Sequence, residues 1–278
     1  MSYENVIYEK DGRLATMTMN RPDKLNALSA GLIGDIVAAA EEAADDEEVR
    51  VIILKAAGRA FSAGYDITPG QEDEREPDLA EKFLQLRVNT NQWLRLWNLP
   101  KPVLAQVHGY CLAGATDLAL SCDMVIAAED AVFGLPDVRG IESVQCHMWT
   151  YLAGPQWAKR MMFTGDPIDG KTAEKIGIIL KAVPADRLEE EVRALAERIA
   201  NVPSELLMPH KSLINKVMDL MGHRVAQQMA ADAVLITHHS NANRDFRDLS
   251  EKEGLRAALL KRDGPFGDYT ARPKEKKS

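Results

Sequence analysis

The sequence predicts an α/β fold: stacked strand–strand–helix units around a mostly parallel core, followed by a long run of helices. Three observations predict it. Short apolar runs, 49–55 and 103–107, are rich in Val, Ile and Leu at successive positions, as strands covered on two faces require. Segments of helical period stand between such runs. Beyond residue 144 almost every segment reads as helix, apart from the apolar stretch 178–183. With 278 residues, 46% of them hydrophobic, the chain can bury one large core.

Taken in order, residues 6–10 and 14–19 read as strands joined by the Asp11-Gly12-Arg13 turn. Asn20-Arg21-Pro22-Asp23 breaks that pattern, and Leu32, Ile33, Ile36, Val37 and Ala40 then recur at helical spacing over 29–44, with Ser29 as cap. The strand 49–55 runs into a small-residue loop, Arg59-Ala60-Phe61-Ser62-Ala63-Gly64-Tyr65-Asp66-Ile67. A polar surface loop is expected over 68–77 and a helix over 79–97, ended by Leu99-Pro100-Lys101-Pro102. The strand 103–107 leads to the turn Gly109-Tyr110-Cys111-Leu112-Ala113, and a helix is expected over 114–121. Short strands follow at 124–128 and 131–133. The helices of 203–262 are apolar on one side only: Ile214, Val217 and Met218, or Leu255, Ala258 and Leu259, call for a covering surface.

Composition excludes several function classes. A net charge of −8 argues against a nucleic-acid binder, and no apolar run approaches the roughly 20 residues of a membrane span. The first residues have neither a basic nor an apolar leader region, and Cys111, Cys122 and Cys146 show no CxxC spacing. A reduced, cytoplasmic protein without a disulfide framework or a metal site is expected.

Two small-residue loops and two carboxylates form the candidate site. Gly114 follows a strand and a tight turn and opens a helix, whose first N–H groups lack intrahelical acceptors and form the positive end of the dipole. Tyr65 can supply a second N–H from the other loop. Asp117 lies one turn into the helix, and Asp137 follows Phe133-Gly134-Leu135-Pro136. Two such N–H groups can hold a carbonyl oxygen while carboxylates move protons beside it. Each residue singly has a plainer reading: Gly114 as a packing glycine, Asp117 as a helix N-terminal charge, Asp137 as a turn residue, Lys24 as a solvated lysine.

Together these segments resemble the crotonase (enoyl-CoA hydratase/isomerase) superfamily. The matching stretches are Asn20-Arg21-Pro22-Asp23-Lys24-Leu25-Asn26-Ala27-Leu28, the 59–67 loop, Lys101-Pro102-Val103, 109–117, Cys122-Asp123, Phe133-Gly134-Leu135-Pro136-Asp137, 163–169 and Glu253-Gly254 with Lys261-Arg262. The resemblance implies a spiral of ββα units over 1–200, a helical trimerisation region over 201–265 and a flexible tail over 266–278. It implies an oxyanion hole from the N–H groups of Tyr65 and Gly114, and catalytic carboxylates at Asp117 and Asp137. Lys24, Leu25, Ala63, Gly64, Asp66 and Ile67 would line the coenzyme A site. The substrate carries that coenzyme, so no separate cofactor or metal is implied; a homotrimer, or a hexamer of two trimers, is.

Two departures bear on the reaction. Both carboxylates are Asp where the family's hydratases have Glu, which withdraws each by roughly 1.5 Å. A stretch of bulky polar residues, Arg139 to Trp149, also replaces the family's glycine-rich wall, making Glu142 and His147 candidate acids or bases, or readers of a polar acyl chain. Their plainer readings are a helix-terminal charge and a packed histidine. Hydration of a 2-enoyl-CoA is the leading expectation. Double-bond isomerisation or hydrolytic C–C cleavage of a β-keto acyl-CoA are the alternatives on one scaffold, and a non-catalytic acyl-CoA-binding paralogue is the alternative of another class.

Overall fold

A computed structural model describes residues 2–68, 78–144 and 147–271. Strands β1 (Val6–Asp11) and β2 (Leu14–Met19) form the expected hairpin, paired antiparallel from Val6 opposite Met19 to Asp11 opposite Leu14. The sheet then runs parallel through β3 (Val51–Ala56) and β4 (Val103–Val107) to β6 (Met124–Ala128) and β9 (Lys181–Val183). Val51, Ile52, Ile53 and Leu54 are all buried, as a strand covered on both faces must be. A smaller sheet holds β5 (Tyr110–Leu112), β7 (Val132–Gly134) and β8 (Ile168–Asp169).

The stacked units are visible in this division. The first strand of each unit, β4 or β6, joins the large sheet, and the second, β5 or β7, joins the small one. A helix closes each: α3 (Gly114–Leu120) and α4 (Trp149–Thr164). Helix α1 (Ala30–Asp45) buries Leu32, Ile36, Val37 and Ala40 and is capped by Ser29, whose Oγ accepts from the Leu32 N–H. Helix α2 (Leu79–Trp97) starts on a capping box of Asp78 and Glu81. The loop expected over 68–77 lies, apart from Thr68, outside the described residues.

Helices α5 (Gly170–Lys175), α6 (Leu188–Ala200), α7 (Ser204–Leu220), α8 (His223–His238), α9 (Asn241–Glu253) and α10 (Leu255–Asp263) complete the chain. The stretch 178–183 is strand only over its last three residues. The apolar faces of α7 and α10 have different fates. Ile214 and Val217 on α7 are exposed, whereas Ala258 on α10 is buried and Leu255 and Leu259 line a cleft of this same chain. Of the tail expected to be flexible over 266–278, residues 266–271 are described, and short 3₁₀ turns at Gly264–Phe266 and Tyr269–Ala271 pack there; 272–278 lie outside the described residues. Phe266 lies under the Arg139 guanidinium, 3.8 Å from carbon to ring centroid. Among the described residues no helix is long and apolar enough to cross a membrane.

Candidate active site

The 59–67 loop follows β3 and is stitched by its backbone to β5 and to the turn before α1. Ser62 N–H donates to the Tyr110 carbonyl at 2.9 Å, Ala63 N–H to Leu25 at 3.0 Å, and Leu28 N–H to Gly64 at 2.8 Å. This brings Gly64 against the start of α3. A Cβ on Gly64 would lie 2.8 Å from that of Ala113 and 3.5 Å from the Gly114 nitrogen, so the two loops meet only because residue 64 is glycine. Ala113 turns the chain into the helix at φ 51° and ψ −125°, a conformation that L-residues rarely adopt. The Ala113 N–H donates to the Gly134 carbonyl at 2.8 Å, tying this turn to the strand that leads to Asp137.

Gly114 therefore faces Tyr65 directly. A Cβ there would fall 2.3 Å from Tyr65 Cε2, so the phenol ring lies against the bare α-carbon. Tyr65 Oη accepts from Trp93 Nε1 at 2.9 Å and donates to Asp117 Oδ2 at 3.4 Å. Asp117 is 3% exposed, and the wall of the cleft at this point is Tyr65.

Asp137 sits in a 3₁₀ turn, Pro136–Arg139, and lines the cleft. The residue is half-buried overall, yet its Oδ1 is wholly buried and has no hydrogen-bond partner among the described residues. Burial, with Glu142 adding its negative charge, pushes the Asp137 carboxyl up to about 7. Glu142 arrives there because the Ile141 and Glu142 N–H groups both donate to the Asp137 carbonyl, at 2.8 and 3.1 Å. The same loop is pinned from outside: Ser143 N–H donates to Thr237 Oγ1 at 2.9 Å and Asn243 Nδ2 donates to the Ile141 carbonyl at 2.7 Å. His238 stands 3.9 Å from the Glu142 carboxylate.

The cleft has a volume of about 1100 Å³. Lys24, Leu25, Ala63, Asp66 and Ile67 line it, with Gly64 buried beneath them. Asp66 has a structural task, since its carboxylate pairs with Arg21 at 3.1 Å and accepts from Thr68 Oγ1 at 2.7 Å. Burial alone would raise the Asp66 pKa, but those bonds hold it below the usual carboxylate range.

His147 is not brought to the cleft. Its Nε2 meets Thr150 Oγ1 at 2.6 Å, its N–H donates to Gln227 Oε1 at 2.9 Å, and burial lowers its pKa. It belongs to a separate polar cluster with Gln227 and His223, so its plainer reading as a packed histidine fits. Sequence reasoning missed Arg59, Tyr269 and Thr270 on the cleft wall, and Trp93 behind it. Arg59 carried a usable signal, a cation at the head of a candidate binding loop. Among the described residues no group of His, Cys, Asp and Glu could hold a metal ion.

Comparison with known proteins gives the family and the fold. The family described as Enoyl-CoA hydratase/isomerase matches residues 9–269. A crotonyl-CoA hydratase of Syntrophomonas wolfei is 32% identical over 277 residues, covering 96% of this chain and 99% of that protein. A mitochondrial enoyl-CoA hydratase of Pongo abelii is 31% identical, covering 96% and 89%. The crystal structure of an enoyl-CoA hydratase from Mycobacterium smegmatis superposes with a TM-score of 0.90 at 31% identity, covering 98% of each chain. With a whole-length family match, whole-length relatives and the same fold, this chain belongs to the enoyl-CoA hydratase/isomerase family.

Proposed function

We propose that the protein is an enoyl-CoA hydratase, adding water across the double bond of a 2-enoyl-CoA. One observation carries the reading. A carboxyl able to hold a proton near neutrality, Asp137, lines the same cleft as Tyr65, whose ring lies against the Gly114 α-carbon at the start of α3. The two N–H groups hold the thioester oxygen and take up the charge that develops as water adds to the β-carbon. Asp137 gives its proton to the α-carbon, and the Asp117 side removes one from water. Lys24 and Arg59 offer charge to the phosphates of coenzyme A, which the substrate itself brings. The direct test is turnover of a 2-enoyl-CoA panel, beginning with crotonyl-CoA. Failure to hydrate any member, with α-proton exchange intact, would reassign the site to another enolate reaction. Isomerisation of a 3-enoyl-CoA is the second reading, favoured by Asp117 standing behind Tyr65 rather than in the cleft wall.

The assembly we propose is a homotrimer, alone or doubled into a hexamer. Helices α7 and α8 expose Leu213, Ile214, Leu220, Met229 and Ile236, with Leu220 at 88%, large apolar side chains that a subunit interface would cover. Sedimentation of the dilute protein is expected to give about three times the 30.8 kDa chain mass or a multiple of it. A 30.8 kDa species would remove the proposal.

A further inference from the structure

We propose that the Tyr65 phenol is a catalytic group of the water-addition step, standing between the buried Asp117 carboxylate and the substrate. The inference rests on the hydratase reading and adds a side-chain role to a residue whose backbone that reading already uses.

Donor and acceptor chemistry orients the phenol. An indole N–H can only donate, so at 2.9 Å Trp93 Nε1 occupies one lone pair of Tyr65 Oη. The phenolic proton must then point elsewhere, and Asp117 Oδ2 lies 3.4 Å away as an acceptor. That distance is long for an O–H···O bond, as is common before a substrate closes the site. Trp93 is 2% exposed and fixes the phenol from behind, while Tyr65 itself is half-buried and lines the cleft. The ring is also packed on the α-carbon of Gly114, where a single added methyl would sit 2.3 Å from Cε2.

The arrangement also answers the shortened carboxylate. Asp117 is one methylene short of a glutamate, is 3% exposed, and has Tyr65 between it and the cleft. The phenol carries its reach forward by one hydrogen bond. In the step, water gives a proton to Tyr65 Oη as Oη passes its own to Asp117 Oδ2. The water oxygen bonds to the β-carbon, and the π electrons move to the α-carbon and thioester oxygen. The protonated Asp137 carboxyl then gives its proton to the α-carbon. Asp117 ends with one proton more, Asp137 with one fewer, and exchange with solvent resets the pair.

Tyr65→Phe tests this cleanly, since it retains the backbone N–H and the ring on Gly114 and removes only the hydroxyl. Two rates are read on the full-length protein: hydration of crotonyl-CoA, and exchange of the α-protons of butyryl-CoA in D₂O. Exchange needs the oxyanion hole and Asp137 but no water addition. We expect hydration kcat to fall roughly 10²-fold while exchange stays within a few-fold. Asp117→Asn should lower hydration similarly, and the double variant should be little worse than either single one. Wild-type hydration by Tyr65→Phe would overturn the proposal. So would equal losses of hydration and exchange, or of hydration and thermal stability, which would make the hydroxyl a structural strut. A wild-type protein that exchanges but hydrates nothing would sink the hydratase reading and this step with it. That failure shows in the wild type, not in the variant.

Discussion

Asp137→Asn is expected to lower hydration kcat by roughly 10²–10⁴-fold with little change in coenzyme A affinity, because it removes the proton donor and leaves the cleft's shape. The wild-type pH profile should name the same group. The competent enzyme holds a proton on Asp137, whose carboxyl lies near 7, so kcat/KM should fall as pH rises through about 7. Hydration consumes no net proton, so the limb should be the same when the reaction is run in reverse. Glu142 is the second cause of the elevation after burial, so Glu142→Gln should move the limb to lower pH. A limb left unmoved would disconnect Glu142 from Asp137. The linkage to stability has a definite sign. The folded carboxyl binds its proton more tightly than the unfolded one, so its contribution is complete below about 4 and is lost as pH rises through about 7. Asp137→Asn should thus stabilise the protein at pH 8 relative to wild type and have little effect at pH 4. Each tenfold change in proton affinity is worth about 1.4 kcal/mol. The gain is therefore at most about 4 kcal/mol, and smaller because the residue also faces the wet cleft. Equal melting shifts at the two pH values would contradict the assignment.

What could be read from the sequence follows the range of the interactions involved. The hairpin, the Ser29-capped helix and the helix Leu79–Trp97 emerge as expected, since periodicity and caps are local signals. The two loops were legible because small residues after apolar strands leave few backbone paths. The short strands β5 and β8 were not: a three-residue and a two-residue strand carry too little alternation to distinguish from a turn. Glu142 was a candidate because polar residues replace the family's glycine-rich wall there; local bonds to the Asp137 carbonyl and long-range ones to Thr237 and Asn243 put it beside Asp137. His147, five residues further on, had equal standing in sequence and is turned into another cluster by Gln227. The Trp93–Tyr65–Asp117 chain joins residues from three distant segments. No local pattern records it.

The same dependence on long-range contacts gives Arg139 its weight, although nothing in its sequence surroundings marks it. Its side chain is 2% exposed and binds Asp268 bidentately, at 2.6 and 2.8 Å. It also approaches Asp263 at 3.5 Å and Asp166 at 3.3 Å, and donates from Nε to the Thr164 carbonyl at 2.7 Å. Phe266 and Tyr269 stack on its guanidinium, and Tyr269 Oη donates to the Gly165 carbonyl at 2.7 Å. Arg139 stands two residues after Asp137, so one side chain clasps the chain's last described segment onto the acid's own turn. Arg139→Ala would leave Asp268 without its bidentate partner and Asp263, 0% exposed, with Arg262 and the Thr270 N–H, which donates at 3.4 Å. Breaking a buried pair from one side costs about 3–5 kcal/mol, and the share of Asp263 kept by Arg262 argues for the lower half. A melting temperature lower by roughly 6–12 °C is therefore expected. The KM for acyl-CoA should rise as well, because Tyr269 and Thr270 form part of the cleft wall and lose their anchor. Arg139→Lys should recover little of either, since an ammonium cannot reproduce the fork or the stacking. If Arg139→Ala melts within about 2 °C of wild type, the clasp contributes nothing measurable. The order of residues 264–271 must then come from the packing of α10 instead.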